Sequence, residues 1–279
     1  MSAQVIKELI DTGIHFGHRG SRWNPKMKPY IYGKRGGLHI IDVKETLRGL
    51  LLAKKFIIQT VAKGQDVLFV GTKRQARKSV QDHAERTAMH CVTDRWLGGT
   101  LTNFREIRKR IGRLEELEQM EADGLLDAYS KKDGSRLRRE MRKIQRNLGG
   151  IRKMTKFPGV VIVIDACREI IAIREARKAG VPVICLVDTD ANPDIVDIPI
   201  PGNDDAMRAI EVIVRELADA AEAGTKTRTE GNDEQGEKPR RRSKRETTAR
   251  AQDEPAKEEA PAEAPAEAVA EAPAEAPVE

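Results

Sequence analysis

The chain has 279 residues, with 50 Lys and Arg against 44 Asp and Glu, a formal charge of +6. No apolar run is long enough to cross a bilayer and no charged-then-apolar leader opens the chain, so neither a spanning helix nor export is expected. Three cysteines without paired spacing, Cys91, Cys167 and Cys185, argue against a disulfide framework; Cys167 and Cys185 read as reduced thiols at or in buried strands of a cytosolic protein.

The first informative stretch runs from Thr12 to Ile41. It lacks any carboxylate, yet carries six Lys or Arg, four aromatics and six glycines. Arg19, Arg22, Lys26, Lys28, Lys34 and Arg35 can neutralise phosphates, and Trp23, Tyr30 and Tyr32 can stack on bases or sugars. An irregular, extended segment lying on nucleic acid has this composition. A solvated basic loop with its aromatics tucked into the core has it too.

Helix and strand periods alternate beyond that stretch. Leu38 to Ile41 reads as a short strand, and apolar residues at three- and four-residue spacing predict a helix over 45–62. Val67 to Val70 is a buried-type strand, a polar helix covers 75–89, and Cys91 with Val92 marks another strand. Val160 to Ile164 and Val183 to Val187 are the continuous apolar runs that a parallel sheet buries on both faces. The helix over 169–178 joins them and stops at Gly180 and Pro182. A last helix is predicted over 204–221, capped by Asn203 or Asp204. This order means an α/β layer with right-handed crossovers.

One segment stands apart from the layer. Ile107, Ile111, Leu114 and Leu117 keep one stripe, and Leu137, Met141, Ile144, Leu148 and Ile151 return a second. Asp-Gly pairs at 123–124 and 133–134 are placed in the turn region. The spacing predicts a projecting antiparallel helical hairpin over 104–156. Its sixteen Lys and Arg against nine Asp and Glu suit either a solvated rod or a polyanion partner.

The composition changes again near Gly224. From there on ten basic and fourteen acidic residues accompany almost no large apolar side chain. The part before it is therefore more basic than the whole, at +10. A segment that buries so little cannot offset its ordering entropy, so residues 224–279 are expected to be a disordered tail. The run Lys238 to Arg245 could touch RNA, with the acidic Pro-Ala-Glu repeat folding back to screen it.

Four strings in order carry a resemblance: His15-Phe16-Gly17-His18 with Trp23-Asn24-Pro25-Lys26-Met27-Lys28-Pro29, then Phe69-Val70-Gly71-Thr72-Lys73-Arg74, then Asp94-Arg95-Trp96-Leu97-Gly98-Gly99-Thr100-Leu101-Thr102-Asn103, then Pro201-Gly202-Asn203-Asp204-Asp205-Ala206. The chain resembles the bacterial small-subunit ribosomal protein S-two family from residue 1 to about 223. That family implies a flavodoxin-like or Rossmann-like parallel sheet flanked by helices, with an inserted coiled-coil hairpin. It implies a non-catalytic protein of the cytoplasmic small subunit, on the solvent side between head and body. Small-subunit rRNA and other subunit proteins are the implied partners, including the multi-domain S-one protein that captures messenger RNA. Neither a membrane nor a homo-oligomer is expected. Four parts follow: an N-terminal basic segment (1–37), the α/β domain (38–103 and 157–223), the hairpin (104–156) and the tail (224–279).

The rRNA-binding set is Arg19, Arg22, Trp23, Asn24, Lys26, Lys28, Lys34, Arg35, Lys73, Arg74, Arg95, Asn103, Arg105, Arg108 and Lys109. Lys73, Arg74, Arg77 and Lys78 follow a strand-to-helix turn, where free N–H groups favour a phosphate. Trp96 suits a base stack or a core anchor equally. Asp165, Asp188, Asp190, Asp204 and Asp205 fall at carboxyl ends of strands, where open α/β sheets bind ligands. No cofactor is required; a zinc or other divalent ion held by His18, Asp188, Asp204 and Asp205 is chemically reasonable. Helix capping and turn chemistry explain the same aspartates. A metal-dependent phosphoryl transferase would fit the layer, but the phosphate-cradling Gly-rich loop and a nucleophile–base pair are missing.

Overall fold

The computed structural model describes residues 3–236. Helix α1 (Ala3–Asp11) leads into three short strands, β1 (Phe16–Arg19), β2 (Ile31–Arg35) and β3 (Leu38–Ile41), paired antiparallel in the order β1-β3-β2. The stretch expected to be irregular thus carries a sheet of its own. Leu38–Ile41, expected in the parallel layer, is its central strand. Gly36 and Gly37 explain the pairing: at φ 58° and 83° they close a two-residue turn between Arg35 and Leu38, a geometry whose twist suits a hairpin. Between β1 and β2 a 3-10 turn, Pro25–Tyr30, is capped by Asn24 and buries Met27.

Helix α2 (Val43–Ala62) starts two residues before the predicted position because Asp42 caps it, accepting from the Lys44 N–H at 2.9 Å. Strand β4 (Val67–Val70), helix α3 (Arg77–Arg86) and strand β5 (His90–Val92) follow. Helices α4 (Phe104–Ala122), α5 (Leu125–Ala128) and α6 (Lys131–Leu148) come next. The stripes of α4 and α6 are buried at Ile107, Ile111, Leu114 and Leu117 and at Met141, Ile144 and Leu148. Arg138 reaches Glu121, while Arg108 reaches the carbonyls of Arg152 and Met154, so the two helices run in opposite senses. The second Asp-Gly pair is not in the turn. Ser130 accepts from the Asp133 N–H and starts α6 at Lys131, which draws Asp133 and Gly134 into its first turn.

Strand β6 (Val160–Ile164), helix α7 (Ile170–Lys178), strands β7 (Val183–Val187) and β8 (Ile198–Pro201) and helix α8 (Met207–Gly236) complete the fold. The five later strands form one parallel sheet, ordered β5-β4-β6-β7-β8. Numbered within the sheet this is 2-1-3-4-5, a doubly wound order that reverses between β4 and β6. Alternate residues point to opposite faces. Val67, Phe69, Ile162, Ile164 and Leu186 pack with α2, α3 and α8, while Leu68, Val70, Val161, Val163 and Cys185 pack with α7 and the base of the α4–α6 pair. Burying each such side chain contributes about 1.5–3 kcal/mol, which is why these runs read as strands in the sequence. The edge strand β8, which was not predicted, carries Pro199 and Pro201, residues that edges tolerate and central strands do not.

Two expectations shift at the ends of the last helix and one in a loop. Asn203 accepts from the N–H groups of Asp205 and Ala206, but Asp204 turns inward and the helix begins only at Met207. Helix α8 then runs through the expected boundary at residue 224, with Gly224 buried against Val61 of α2. The rest of the expected tail, 237–279, lies outside the described residues, as does its Lys238 to Arg245 run. Cys167, placed by the sequence at a buried strand, is exposed in the loop after β6; Cys185 is buried. Among the described residues no helix is long and apolar enough to cross a membrane.

Candidate nucleic-acid interface and the carboxylate-lined sheet edge

The carboxyl ends of the parallel strands gather charge from four loops. Lys73, after β4, is only 9% exposed, and its ammonium lies 2.7 Å from Asp204 and Asp205 and 3.4 Å from Asp165. Burial alone would lower the Lys73 ammonium, but its hydrogen bonds to Asp204 and Asp205 outweigh that and hold it above its usual range. Burial pushes Asp204 up to about 7, with Asp165 adding repulsion, whereas the Lys73 hydrogen bond keeps Asp205 low. His18, at the end of β1, bonds Asp188 at 2.8 Å through Nδ1, which raises the imidazole to about 9. Its Nε2 lies 3.6 Å from Asp205. The Thr72 hydroxyl and N–H both donate to Glu169, whose buried carboxyl is raised.

This arrangement counts against the phosphate reading of Lys73. Three carboxylates already satisfy the ammonium, and Glu169 occupies the Thr72 amide at the strand-to-helix turn. Arg74 beside it is exposed, and Arg77 spans Asp94 and the Thr72 carbonyl. Of the four residues expected around a metal, His18, Asp188 and Asp204 each bring a donor atom within 4.8 Å of the others. Asp205 is exposed and divides its oxygens between Lys73 and His18.

The second surface is the β1–β3 sheet with its connecting turn. Arg19, Arg22, Lys26, Lys28, Lys34 and Arg35 are all exposed, as are Trp23 at 37% and Tyr32 at 81%. Lys26 pairs with Asp194. The other five cations meet no carboxylate among the described residues. Asn24 serves the turn instead of facing outward: its Oδ1 accepts from the Lys26 N–H at 3.0 Å, and its own N–H donates to the Thr189 carbonyl. The His18 N–H donates to the Thr189 hydroxyl, so the sheet is tied to the loop after β7.

The remaining predicted residues lie at the base of the α4–α6 pair. Arg95, Asn103, Arg105 and Lys109 are exposed there. Lys109 pairs with Glu106, and the exposed Arg108 donates from Nη1 to the Arg152 and Met154 carbonyls. Trp96 is a core anchor, 8% exposed, and donates from Nε1 to Glu175 at 3.3 Å.

Sequence reading missed Glu175. Its two carboxylate oxygens also accept from the N–H groups of Gly99 at 2.7 Å, Leu101 at 3.1 Å and Thr102 at 3.4 Å, so one side chain of α7 gathers the whole loop before α4. A signal existed: Glu175 interrupts the buried face of α7 formed by Ala172, Ile173 and Ala176, and a carboxylate in that position needs donors.

Comparison with known proteins gives the family. The family model described as Ribosomal protein S2 matches residues 9–224. A protein of Rhodopirellula baltica named small ribosomal subunit protein uS2 is 54% identical over 231 residues, covering 82% of this chain and 89% of its own. Proteins of the same name from Geotalea uraniireducens and Treponema pallidum are 48% and 49% identical over 228 and 225 residues, covering 82% and 80% of this chain and 89% and 77% of their own. The chain belongs to the ribosomal protein S2 family, whose members are structural and not catalytic.

Proposed function

We propose that this member of the ribosomal protein S2 family is a structural component of the small ribosomal subunit in the cytoplasm, holding small-subunit rRNA on the solvent side between head and body. The β1–β3 surface carries the reading: five exposed cations without carboxylate partners among the described residues stand beside two exposed aromatics. Phosphates supply the missing anions and position the protein, while RNA shape supplies the specificity. Arg74, Arg95, Arg105 and Lys109 extend the footprint to the base of the α4–α6 pair, whose pairing we read as a coiled coil. Sedimentation of cell extract through gradients at moderate and high salt tests this. Co-migration with small subunits, reduced at high salt, is the expected result; free protein at moderate salt overturns it. Replacing Arg19, Arg22, Lys26 and Lys28 with Ala should weaken rRNA binding, and unchanged affinity would remove this surface from the footprint.

The same placement makes the chain a support for the S-one protein. Small subunits stripped of this chain should lose S-one and regain it on add-back; S-one retained on the stripped subunits refutes the support role.

The convergence of His18, Asp188 and Asp204 within 4.8 Å favours one addition, a divalent ion of the zinc type. It would replace the proton on His18 and tie the β1–β3 sheet to the ends of β7 and β8, as a structural link. Zinc should raise the melting temperature of the purified chain, and His18→Ala should abolish the rise. Extensively dialysed protein free of zinc, with a melt that added zinc leaves unchanged, removes the ion.

A further inference from the structure

We infer that Trp23, His39 and Lys34 form a site for one unpaired nucleotide of RNA, in which the base stacks on Trp23 and meets His39 while its phosphate takes Lys34. This rests on the rRNA-binding reading and adds how the β1–β3 surface reads a base. His39 of β3 lies opposite Lys34 of β2 in the strand register. Its ring leans on Trp23, with centroids 5.2 Å apart and planes tilted by 37°. Neither nitrogen of the His39 ring has a hydrogen-bond partner, and both are shielded from solvent. Buried polar atoms are normally paired, so an imidazole with two idle nitrogens is a cost that a ligand can relieve.

Lys34 stands beside it. A Cβ built on Gly20 would stand 2.7 Å from the Lys34 Nζ and 3.4 Å from the His39 Nε2, so the ammonium and the imidazole edge both lie against Gly20. No carboxylate among the described residues holds Lys34 there. A phosphate can therefore draw it away, and its departure uncovers His39 beside the exposed indole. The opened face then offers a ring to stack on, an imidazole donor and acceptor for a base edge, and a cation at the rim. Proteins recognise single-stranded RNA with this combination, whereas a duplex presents neither a free face nor a free edge. An acidic peptide would answer the cations but has no base to stack.

The test uses the full chain and its tryptophan emission, with the buried Trp96 as constant background. A short single-stranded oligouridylate should quench Trp23 and shield it from acrylamide; a blunt RNA duplex and polyglutamate should not. Trp23→Leu should remove the signal. His39→Ala should weaken the single strand about tenfold with its salt dependence unchanged, and Lys34→Gln should lower the salt slope by about one. Wild-type affinity in folded Trp23→Leu and His39→Ala proteins overturns the site, as does equal quenching by duplex or polyglutamate. Should His39→Ala not melt cooperatively, the acrylamide measurement on the unaltered chain decides, and absence of shielding overturns the site. Loss of the site alone would leave salt-dependent binding of small-subunit rRNA intact. Failure of the broader reading would remove that binding from the unaltered chain.

Discussion

The carboxyl edge of the parallel sheet and the face of the β1–β3 sheet are both rich in charge, and they treat it in opposite ways. At the edge the central charges have partners within the chain: Lys73 has three carboxylates, His18 has Asp188, and Glu169 has Thr72. On the β1–β3 face five of the six cations stand in solvent with no carboxylate partner among the described residues, and the surrounding thirty residues of sequence contain no acid. A doubly wound sheet ordinarily keeps its ligand at the switch point. Here that place is filled by the protein's own ions, and the unanswered charge lies on the small antiparallel sheet beside it. Internal satisfaction contributes to stability; charge left unanswered recruits a partner.

Removing the buried cation should separate the two regions most sharply. Lys73→Met leaves Asp165, Asp204 and Asp205 facing one another, and denaturant titration at pH 7 should show a loss of about 3–5 kcal/mol. The sign with pH follows from the carboxylates. Without the ammonium their folded-state pKa values rise above the unfolded ones, so the penalty is absent below the unfolded values and grows as pH rises. The deficit relative to the unaltered chain should therefore shrink on acidification; a deficit constant from pH 7 to pH 4 would mean that the lysine acts through packing.

Glu175→Gln should cost less, about 1–3 kcal/mol, because one oxygen still accepts while the other is replaced by a donor facing the N–H groups of Leu101 and Thr102. The same titration checks it, and an unchanged midpoint would show that the loop before α4 holds itself. On the other face, changing Arg19, Arg22, Lys28 and Arg35 to Gln should move stability by no more than about 0.5 kcal/mol. The logarithmic salt slope of rRNA binding should fall by about one for each phosphate that the variant no longer neutralises. A large stability change with an unaltered slope would reverse the comparison.

The smallest effect belongs to a half-exposed pair. Arg215 bonds Glu8 at 2.8 Å and holds its carboxyl below the usual range. A lowered carboxylate contributes stability above its unfolded pKa and loses it as pH falls through the folded value. Glu8→Gln should thus cost less than about 1 kcal/mol at pH 7 and nothing in strong acid, with the difference also vanishing in high salt.

Much of the layer was legible. Strands Val67–Val70, Val160–Ile164 and Val183–Val187 stand where continuous apolar runs placed them, because burial on both faces leaves no polar position in the pattern. The stripes of α4 and α6 were legible for the same reason at helical spacing. β1, β2 and β8 were not, since edge strands with one open face carry Gly, Pro and Lys that blur any period. The cations of the candidate interface could be named from composition alone. Their partners could not, and so Lys73, Asn24 and Arg108 looked like their exposed neighbours until the fold gave them carboxylates, an amide and two carbonyls.

By itself, then, the order of residues determined which segments must be buried and which stretch lacks acids, because hydrophobic period and charge content are properties of a few neighbouring positions. Which charges remain free was decided only by tertiary structure. Lys73 and Asp204 are 131 residues apart and meet at 2.7 Å because β4 and β8 end on the same edge of one sheet. Lys34 and Gly20 meet because a two-glycine turn folds β2 onto one side of β3 while β1, which Gly20 follows, pairs on the other.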